Sequence, residues 1–347
     1  MQPRHDLALE RLTTFGVAGT AARAWSLEDM GQVDPLLDAL AAFDPGAEPP
    51  FVLGGGSNVL FARNLHEPLI LVRLRGRRLL DDDGTRVLLE VGAGEPWDEI
   101  VRYSLAQGWF GLENLSLIPG LAGGAPWQNI GAYGVEVAEA IDGVDAVHLG
   151  NGERRSFAQA ECAFGYRSSF FKTAPGRRWL ITAVRLRLSR LAQPRTEYGE
   201  IRAELSAGGT GAAEQPTPLR VAQAVRTIRR RKLPDPVVIG NAGSFFKNPI
   251  VAADAAESLC TAFPQLPVHP VAGEPGLAKL SAGWLIEAAG WKGFREGDAG
   301  VSGQHALVLV NHGAASGRQL LALAQRIQQS VHETFGVALE PEPVIVA

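Results

Sequence analysis

Short apolar runs separated by glycine and proline turns dominate the first two thirds of the chain. Phe51-Val52-Leu53 and Val59-Leu60-Phe61 flank Gly54-Gly55-Gly56-Ser57-Asn58, which reads as two short buried segments joined by a tight turn. Ile70-Leu71-Val72 and the run from Val87 to Val91 have the same strand-like character. The run Val144 to Leu149 leads through Gly150-Asn151-Gly152 toward Ser156-Phe157, a hairpin signal. Val184, Leu186 and Leu188 alternate with Arg185, Arg187 and Ser189, the period of a half-buried strand. Helical spacing intervenes: Pro96 suits a first turn, Trp97, Ile100, Val101 and Leu105 share one face, and Gly108 ends the helix. From Leu219 a helix is predicted with Val221, Val225 and Ile228 inward. It closes on Arg229, Arg230, Arg231 and Lys232, where cations suit the helix C-terminus and most of these charges read as solvated. A further helix is predicted over 277–289, a strand over 306–310, and a long amphipathic helix carrying Leu320, Leu321, Ala324, Ile327, Val331 and Phe335. The small, proline-punctuated stretch SAGGTGAAEQPTP over 206–218 is the best linker candidate.

This mixture of strands and helices predicts an α+β chain, and 347 residues suffice for about two domains with real cores. Hydrophobic residues at 46% and charged residues at 20% are ordinary globular usage. A net charge of -4 gives no general attraction to nucleic acid or to acidic membranes, so a polyanion partner is not expected. Arg4, His5, Asp6, Glu10 and Arg11 leave no apolar core for a signal peptide at the start, and no run reaches the roughly 18 apolar residues of a membrane span. The only cysteines, Cys162 and Cys260, lie far apart without a CxxC pattern, and the histidines lack ligand spacing. Neither a disulfide framework nor a metal site is expected, and a reducing cytoplasm is the simplest setting.

The candidate chemistry begins with the glycines. Glycine lets backbone N–H groups turn toward an anion and lets the main chain approach it without a Cβ. One such block is as readily plain turn chemistry. A second block, PGLAGGAPWQNIGAYG over 119–134, adds Gln128, Asn129, Trp127 and Tyr133, and the pair reads as two walls of one phosphate-binding cleft able to take a flat ring and a pyrophosphate. Four further segments are unusual for loops: FGYRSSFFK over 164–172, Glu197-Tyr198-Gly199-Glu200, GNAGSFFKNP over 240–249, and the terminal Leu339-Glu340-Pro341-Glu342-Pro343.

Taken in this order and over nearly the whole chain, these six segments resemble the UDP-N-acetylenolpyruvoylglucosamine reductase family, in its longer form carrying the Tyr198 loop. The resemblance implies a two-lobed FAD-binding unit of the vanillyl-alcohol-oxidase (PCMH-type) superfamily and a C-terminal α+β substrate-binding domain. On the chain this places a first lobe at 1–66, a second at 67–205 (the FAD-binding unit about 16–190), the linker at 206–218 and the substrate-binding domain at 219–347. It implies non-covalent FAD, with the pyrophosphate held by main-chain amides of the two glycine-rich loops and the cofactor-binding set made of Gly54, Gly55, Gly56, Ser57 and Asn58 together with Pro119, Gly120, Gly123, Gly124, Ala125, Gln128, Asn129, Gly131, Ala132 and Tyr133. NADPH is the implied co-substrate. No Rossmann GxGxxG follows a strand, since Gly92-Ala93-Gly94 lacks the third glycine.

The reaction so implied belongs to peptidoglycan precursor synthesis. It reduces an enolpyruvyl ether to a lactyl ether, with hydride from NADPH passing by way of flavin N5 to C3. Ser244 matches the family's proton donor to C2, Arg167 the holder of the substrate carboxylate, and Glu342 the terminal carboxylate acting on the enolate or as an acid relay, for which a raised pKa is expected. Tyr198, Lys232, Asn248 and Gln304 match positions contacting the diphosphate or uridine, Tyr198 sits on a loop able to close as a lid, and Tyr166 and Tyr133 line the sugar and flavin cavity. The partner expected is a small sugar nucleotide, with no nucleic acid, no membrane insertion and a monomeric chain. The chain departs from the family pattern twice: Glu342-Pro343-Val344 stands where Glu-Val-Arg is usual, leaving Glu340 as an alternative alignment, and Thr13 stands where asparagine is common. Two other readings stay open, a flavin oxidase of the same superfamily and a non-catalytic sugar-nucleotide-binding flavoprotein.

Overall fold

The structure is a computed structural model and describes residues 1–42, 49–207, 216–271 and 273–347. Two compact units emerge, one of Met1–Leu7, Ala21–Gly56 and Leu65–Arg230, the other of Ala8–Thr20, Ser57–Asn64 and Arg231–Ala347.

The first unit carries two sheets. In one, the strands run in the order Arg4–Ala8, Thr20–Leu27, Leu69–Val72, Phe51–Leu53, and Leu69–Val72 pairs in parallel with both of its neighbours. The other is antiparallel, in the order Arg154–Ala158, Ile141–His148, Trp179–Ser189, Arg86–Gly92, Arg77–Asp82. The alternation read in the sequence is realised in Trp179–Ser189, where Val184, Leu186 and Leu188 are buried. The glycine-containing turn at 150–152 joins Ile141–His148 to Arg154–Ala158 as a hairpin. The helix Trp97–Ala106 buries Trp97, Ile100 and Val101, with Pro96 as its N-cap and Gly108 beyond its end at φ +71°. One apolar core joins Trp25, Leu36, Ile70 and Val72 to Leu89, Trp97, Val144 and Leu186, so both sheets share a single interior.

The second unit holds an antiparallel sheet in the order Gly240–Asn241, Leu309–Asn311, Ala299–Val301, Arg295–Glu296, and a second of Ile250–Ala252, Leu277–Leu280 and Val268–Pro270. A two-stranded parallel ladder pairs Val59–Phe61 with Val344–Val346. The long helix Gly317–Phe335 starts at a Ser316–Gln319 capping box and ends at Gly336 with φ +68°. Its first residue has to be glycine, because a Cβ at 317 would lie 1.8 Å from the Phe61 carbonyl oxygen.

Several expectations change. The predicted helix over 277–289 is a strand, Leu277–Leu280, followed by a helix, Ala282–Ala288. Ala278 and Leu280 alternate inward and Ser281 caps the helix by accepting the Trp284 N–H, so a period-2 segment and an N-cap replace one long helix. The strand over 306–310 is shifted to Leu309–Asn311, although Ala306 to Val308 are buried ahead of it. Residues 208–215 of the linker expected over 206–218 lie outside the described residues, while Ser206 and Ala207 close the helix Gly199–Ala207 and Pro218 opens Pro218–Lys232.

The units also divide the chain elsewhere than at 66 and 219. Residues 57–64 go with the C-terminal segment, because their strand pairs with Val344–Val346, and the helix Pro218–Lys232 as far as Arg230 goes with the first unit. There Val221, Val225 and Ile228 pack on Ile201, with Tyr133 and Leu205 against the same cluster.

Candidate active site

In the first unit the two glycine blocks meet. A Cβ on Gly55 would lie 2.9 Å from the Gly120 Cα, and one on Gly54 would rest against Leu121. Behind them Arg73 donates to the Gly54 carbonyl (3.1 Å), and the Trp97 N–H donates to the Gly120 carbonyl (3.0 Å). Gly56 and Gly120 have φ +64° and +115°, conformations in which a side chain is strained. Gly123 is held against Ala93, whose Cβ would be 2.8 Å from a Cβ there, whereas nothing lies within 4 Å of a Cβ on Gly124. Glycine backbone brought this close is the surface a pyrophosphate needs, and the residues present fit FAD. Gly55→Ala should therefore force the two loops apart. The expected result is a protein that melts near the parent temperature as apoprotein yet loses its flavin on gel filtration, read as the flavin-to-protein ratio. Full retention of flavin would refute the cradle.

The rest of the second block is built around Asn129 and Arg167. Asn129 has φ +46° and is buried. Its Nδ2 donates to Glu136 Oε2 (2.7 Å) and to the Gly165 carbonyl (3.0 Å), while its Oδ1 accepts the Ala138 N–H (3.1 Å). The Asn129 side chain thus holds the loop together. Tyr166 and Arg167 are the two central residues of a tight turn closed by reciprocal Gly165–Ser168 hydrogen bonds (3.1 Å each), and Arg167 takes φ +52°. The Lys172 Nζ caps the Arg167 carbonyl (2.9 Å) and lies 4.8 Å from the centre of the Trp127 ring, while Ser169 Oγ donates to the Trp127 carbonyl (2.7 Å). Arg167 itself donates to the Gly131 carbonyl (2.7 Å), and a Cβ at 131 would sit 3.1 Å from its Nη1, so glycine there makes room for the guanidinium.

Tyr133, at φ +50°, packs edge-on against Tyr198 with ring centroids 5.5 Å apart. Burial, opposed by Arg229, pushes the Tyr133 phenol up to about 12, so it stays neutral at physiological pH. Arg230 and Arg231 of the basic run are exposed, whereas Arg229 departs from the surface-charge reading. Its Nε donates to the Leu117 carbonyl (3.1 Å), and desolvation pulls its pKa down against the opposing pull of Tyr133 and Asp98. Arg226 pairs with Asp98, whose Oδ1 also accepts the Leu117 N–H (2.6 Å), so the approach to Pro119 is gripped from two helices. Sequence reasoning missed Arg226 and Arg229. The signal was there: they follow the inward Val225 and Ile228 by one position each, at the same three-residue spacing.

In the second unit the segment 240–249 is a scaffold for Ser244. A Cβ on Gly240 would lie 2.3 Å from the Phe15 carbonyl oxygen, and the Asn241 N–H donates to the Thr14 carbonyl (3.0 Å). The Asn241 side chain accepts the Gly243 N–H (2.9 Å) and donates to the carbonyls of Pro234 and Ile239 (3.1 and 2.9 Å), forming the turn that presents Ser244. Gly243 has φ +68°. Phe245 and Phe246 are both buried, Phe245 edge-on to Phe15, so they are core beneath the turn. Thr13, the departure noted at the N-terminal turn, buries its hydroxyl without a hydrogen-bond partner among the described residues.

The terminal carboxylates separate cleanly. Glu340 pairs with Lys247, whereas the Glu342 N–H donates to the Phe245 carbonyl (2.8 Å) and its own carbonyl accepts from Asn58 Nδ2 (3.4 Å). Glu342 is thereby one residue from Ser244 across a strand pairing. Of the remaining expected residues, Lys232 is partly buried at the end of its helix and Gln304 is exposed in the turn after Ser302. Asn248 Oδ1 accepts the Ala282 N–H (3.0 Å), capping the following helix.

Comparison with known proteins agrees in both units. Residues 33–158 match the family profile described as FAD binding domain, and residues 235–346 match the C-terminal domain of UDP-N-acetylenolpyruvoylglucosamine reductase. Over 347 residues the chain is 52% identical to the UDP-N-acetylenolpyruvoylglucosamine reductase of Chromobacterium violaceum, covering all of this chain and 99% of that one. It is 48% identical over 343 residues to the protein of that name from Pseudomonas putida, covering 99% and 98%. The crystal structure of the Thermus caldophilus reductase superposes with a TM-score of 0.68 at 27% identity, covering 99% of this chain and 100% of that one. Among the described residues no helix is long and apolar enough to cross a membrane. With full-length identity near one half, and with both glycine blocks and the terminal glutamate built into the units that these profiles match, the chain belongs to the UDP-N-acetylenolpyruvoylglucosamine reductase family.

Proposed function

We propose that this chain reduces UDP-N-acetylglucosamine enolpyruvate to UDP-N-acetylmuramate with electrons from NADPH, in peptidoglycan precursor synthesis. The net change adds a hydride to C3 of the enolpyruvyl group and a proton to C2. Bound FAD supplies the two-electron carrier between NADPH and substrate. The protein's own residues hold, orient and protonate. The backbone of Gly54, Gly55 and Gly120 cradles the pyrophosphate, with Gly56, Ser57, Asn58 and the rest of 119–133 completing the binding set.

Arg167 takes the substrate carboxylate, whose charge grows as C3 accepts hydride, and its planar fork matches that group bidentately. Ser244 delivers the proton to C2. A hydroxyl is a weak acid, adequate only toward a strongly basic carbanion. Glu342 acts on the same developing charge, which requires it to carry or share a proton. Lys232, Tyr198, Asn248 and Gln304 take the diphosphate and uridine, and Tyr166 and Tyr133 line the cavity. On this reading the enzyme is a cytoplasmic monomer whose partner is a sugar nucleotide, and its net charge of -4 supports no polyanion role.

The observation that supports this reading is the backbone pairing of Glu342 with Phe245, which joins the terminal segment to the residue that follows Ser244. An anaerobic experiment tests it: bleach the purified yellow protein with NADPH, then add the enolpyruvyl nucleotide. The colour should return with that compound and not with unrelated alcohols. Rapid reoxidation by oxygen together with indifference to the nucleotide would establish an oxidase instead.

A further inference from the structure

The tail that bears Glu342 is held by more than its sequence neighbours. The Lys247 N–H donates to the Glu340 carbonyl (2.9 Å) and the Glu342 N–H to the Phe245 carbonyl (2.8 Å), and these two bonds flank the Phe246–Pro341 bridge. In this register residue 341 owes no N–H to the ladder, so proline costs nothing there. The next donor is Val344, to the Asn58 carbonyl (3.0 Å), so Pro343 also falls where none is required. Both prolines fix their own φ, and each restricts the residue before it, Glu340 and Glu342, to extended backbone. Glu342 therefore has both backbone groups engaged and a proline on either side. Leu339 and Val346, both buried, anchor the tail before and after, and the Leu339 carbonyl accepts from Gln328 Nε2 (2.8 Å).

Across the open end of this short ladder runs the Lys247–Glu340 ion pair. Glu340 is 71% exposed and Lys247 20%, so the pair adds little to global stability. Its position is what matters, because it ties the strand that follows Ser244 to the strand that carries Glu342.

We propose that Lys247, Glu340, Pro341 and Pro343 form a rigid mount that fixes Glu342 beside Ser244, with Lys247 and Glu340 as positioning residues. The proposal rests on the reductase reading for its kinetic consequence, but its mechanical content can be measured separately. In the flavin-loaded full chain, Lys247→Met and Glu340→Gln should each leave bleaching by NADPH unchanged. Reoxidation by the enolpyruvyl nucleotide should slow about five- to tenfold, the cost of a carboxylate displaced by a fraction of an ångström. The exchanged pair Lys247→Glu with Glu340→Lys should recover most of that rate. Amide exchange in the peptide 339–347 should quicken in both single variants and return toward the parent rate in the exchanged pair.

Unchanged reoxidation and exchange in the single variants would overturn the mount, as would an exchanged pair no better than either single change. If the parent protein is not reoxidised by the nucleotide, the reductase reading fails. The exchange rates then decide the mount alone, with faster exchange in the single variants that is rescued in the exchanged pair supporting it and no change overturning it.

Discussion

Ser244→Ala should bleach with NADPH at close to the parent rate while product formation falls by about three decades. A positioned general acid contributes about 10²- to 10⁴-fold, and three decades correspond to about 4 kcal/mol of transition-state stabilisation. The surroundings make this substitution clean. The turn is set by the Asn241 side chain, by Gly243 at φ +68° and by the Phe245 N–H donating to the Leu307 carbonyl (2.7 Å), none of which involves the Ser244 hydroxyl. Removing that oxygen therefore leaves the scaffold standing. Rapid-mixing measurements of the two half-reactions supply the check: equal loss in both would mean that Ser244 shapes the fold and donates no proton to C2.

Arg167→Ala should weaken substrate binding and slow turnover together, lowering kcat/KM by about 10²- to 10³-fold, because the carboxylate contact serves the bound substrate and the transition state alike. Arg167→Lys should recover little, since an ammonium keeps the charge and loses the fork. The backbone adds a second measurement. Arg167 is held at φ +52°, where a side chain costs about 1 kcal/mol relative to glycine. Arg167→Gly should accordingly be as inactive as Arg167→Ala yet melt at a higher temperature. Such a result marks a position where stability is given up for a guanidinium. If Arg167→Ala instead melted at the higher temperature with full activity, both the strain and the carboxylate contact would be disproved.

Much of the fold was legible because its signals are local. The hairpin through 150–152, the alternation around Val184, the Trp97–Ala106 helix and the long Gly317–Phe335 helix each depend on periodicity and on end signals within one segment. The reading failed over 277–289, where a strand, a cap and a short helix were merged into one helix. Leu277-Ala278-Lys279-Leu280 is too short for its period to be distinguished from a helical turn, and it is the neighbouring strands Ile250–Ala252 and Val268–Pro270 that make it a strand. Within the basic run Arg230 and Arg231 are exposed as read, and Arg229 is the exception: helix C-termini usually expose their cations, and it takes the Leu117 carbonyl and Tyr133 to show that Arg229 faces inward.

By itself the sequence determined the types of most elements, the two glycine blocks and the residue types available for chemistry, since propensity, period and backbone freedom are properties of single residues and near neighbours. Only the tertiary structure decided what those residues do. Asn129 spends its amide on Glu136, Gly165 and Ala138, and residues 57–64 leave the lobe to which their numbering assigned them. Two glutamates two positions apart receive different fates, Glu340 an ion pair and Glu342 the place next to Ser244. Register explains the difference: which residue of one strand lies opposite which residue of another is settled by pairing between distant segments, and no local signal in either segment specifies it.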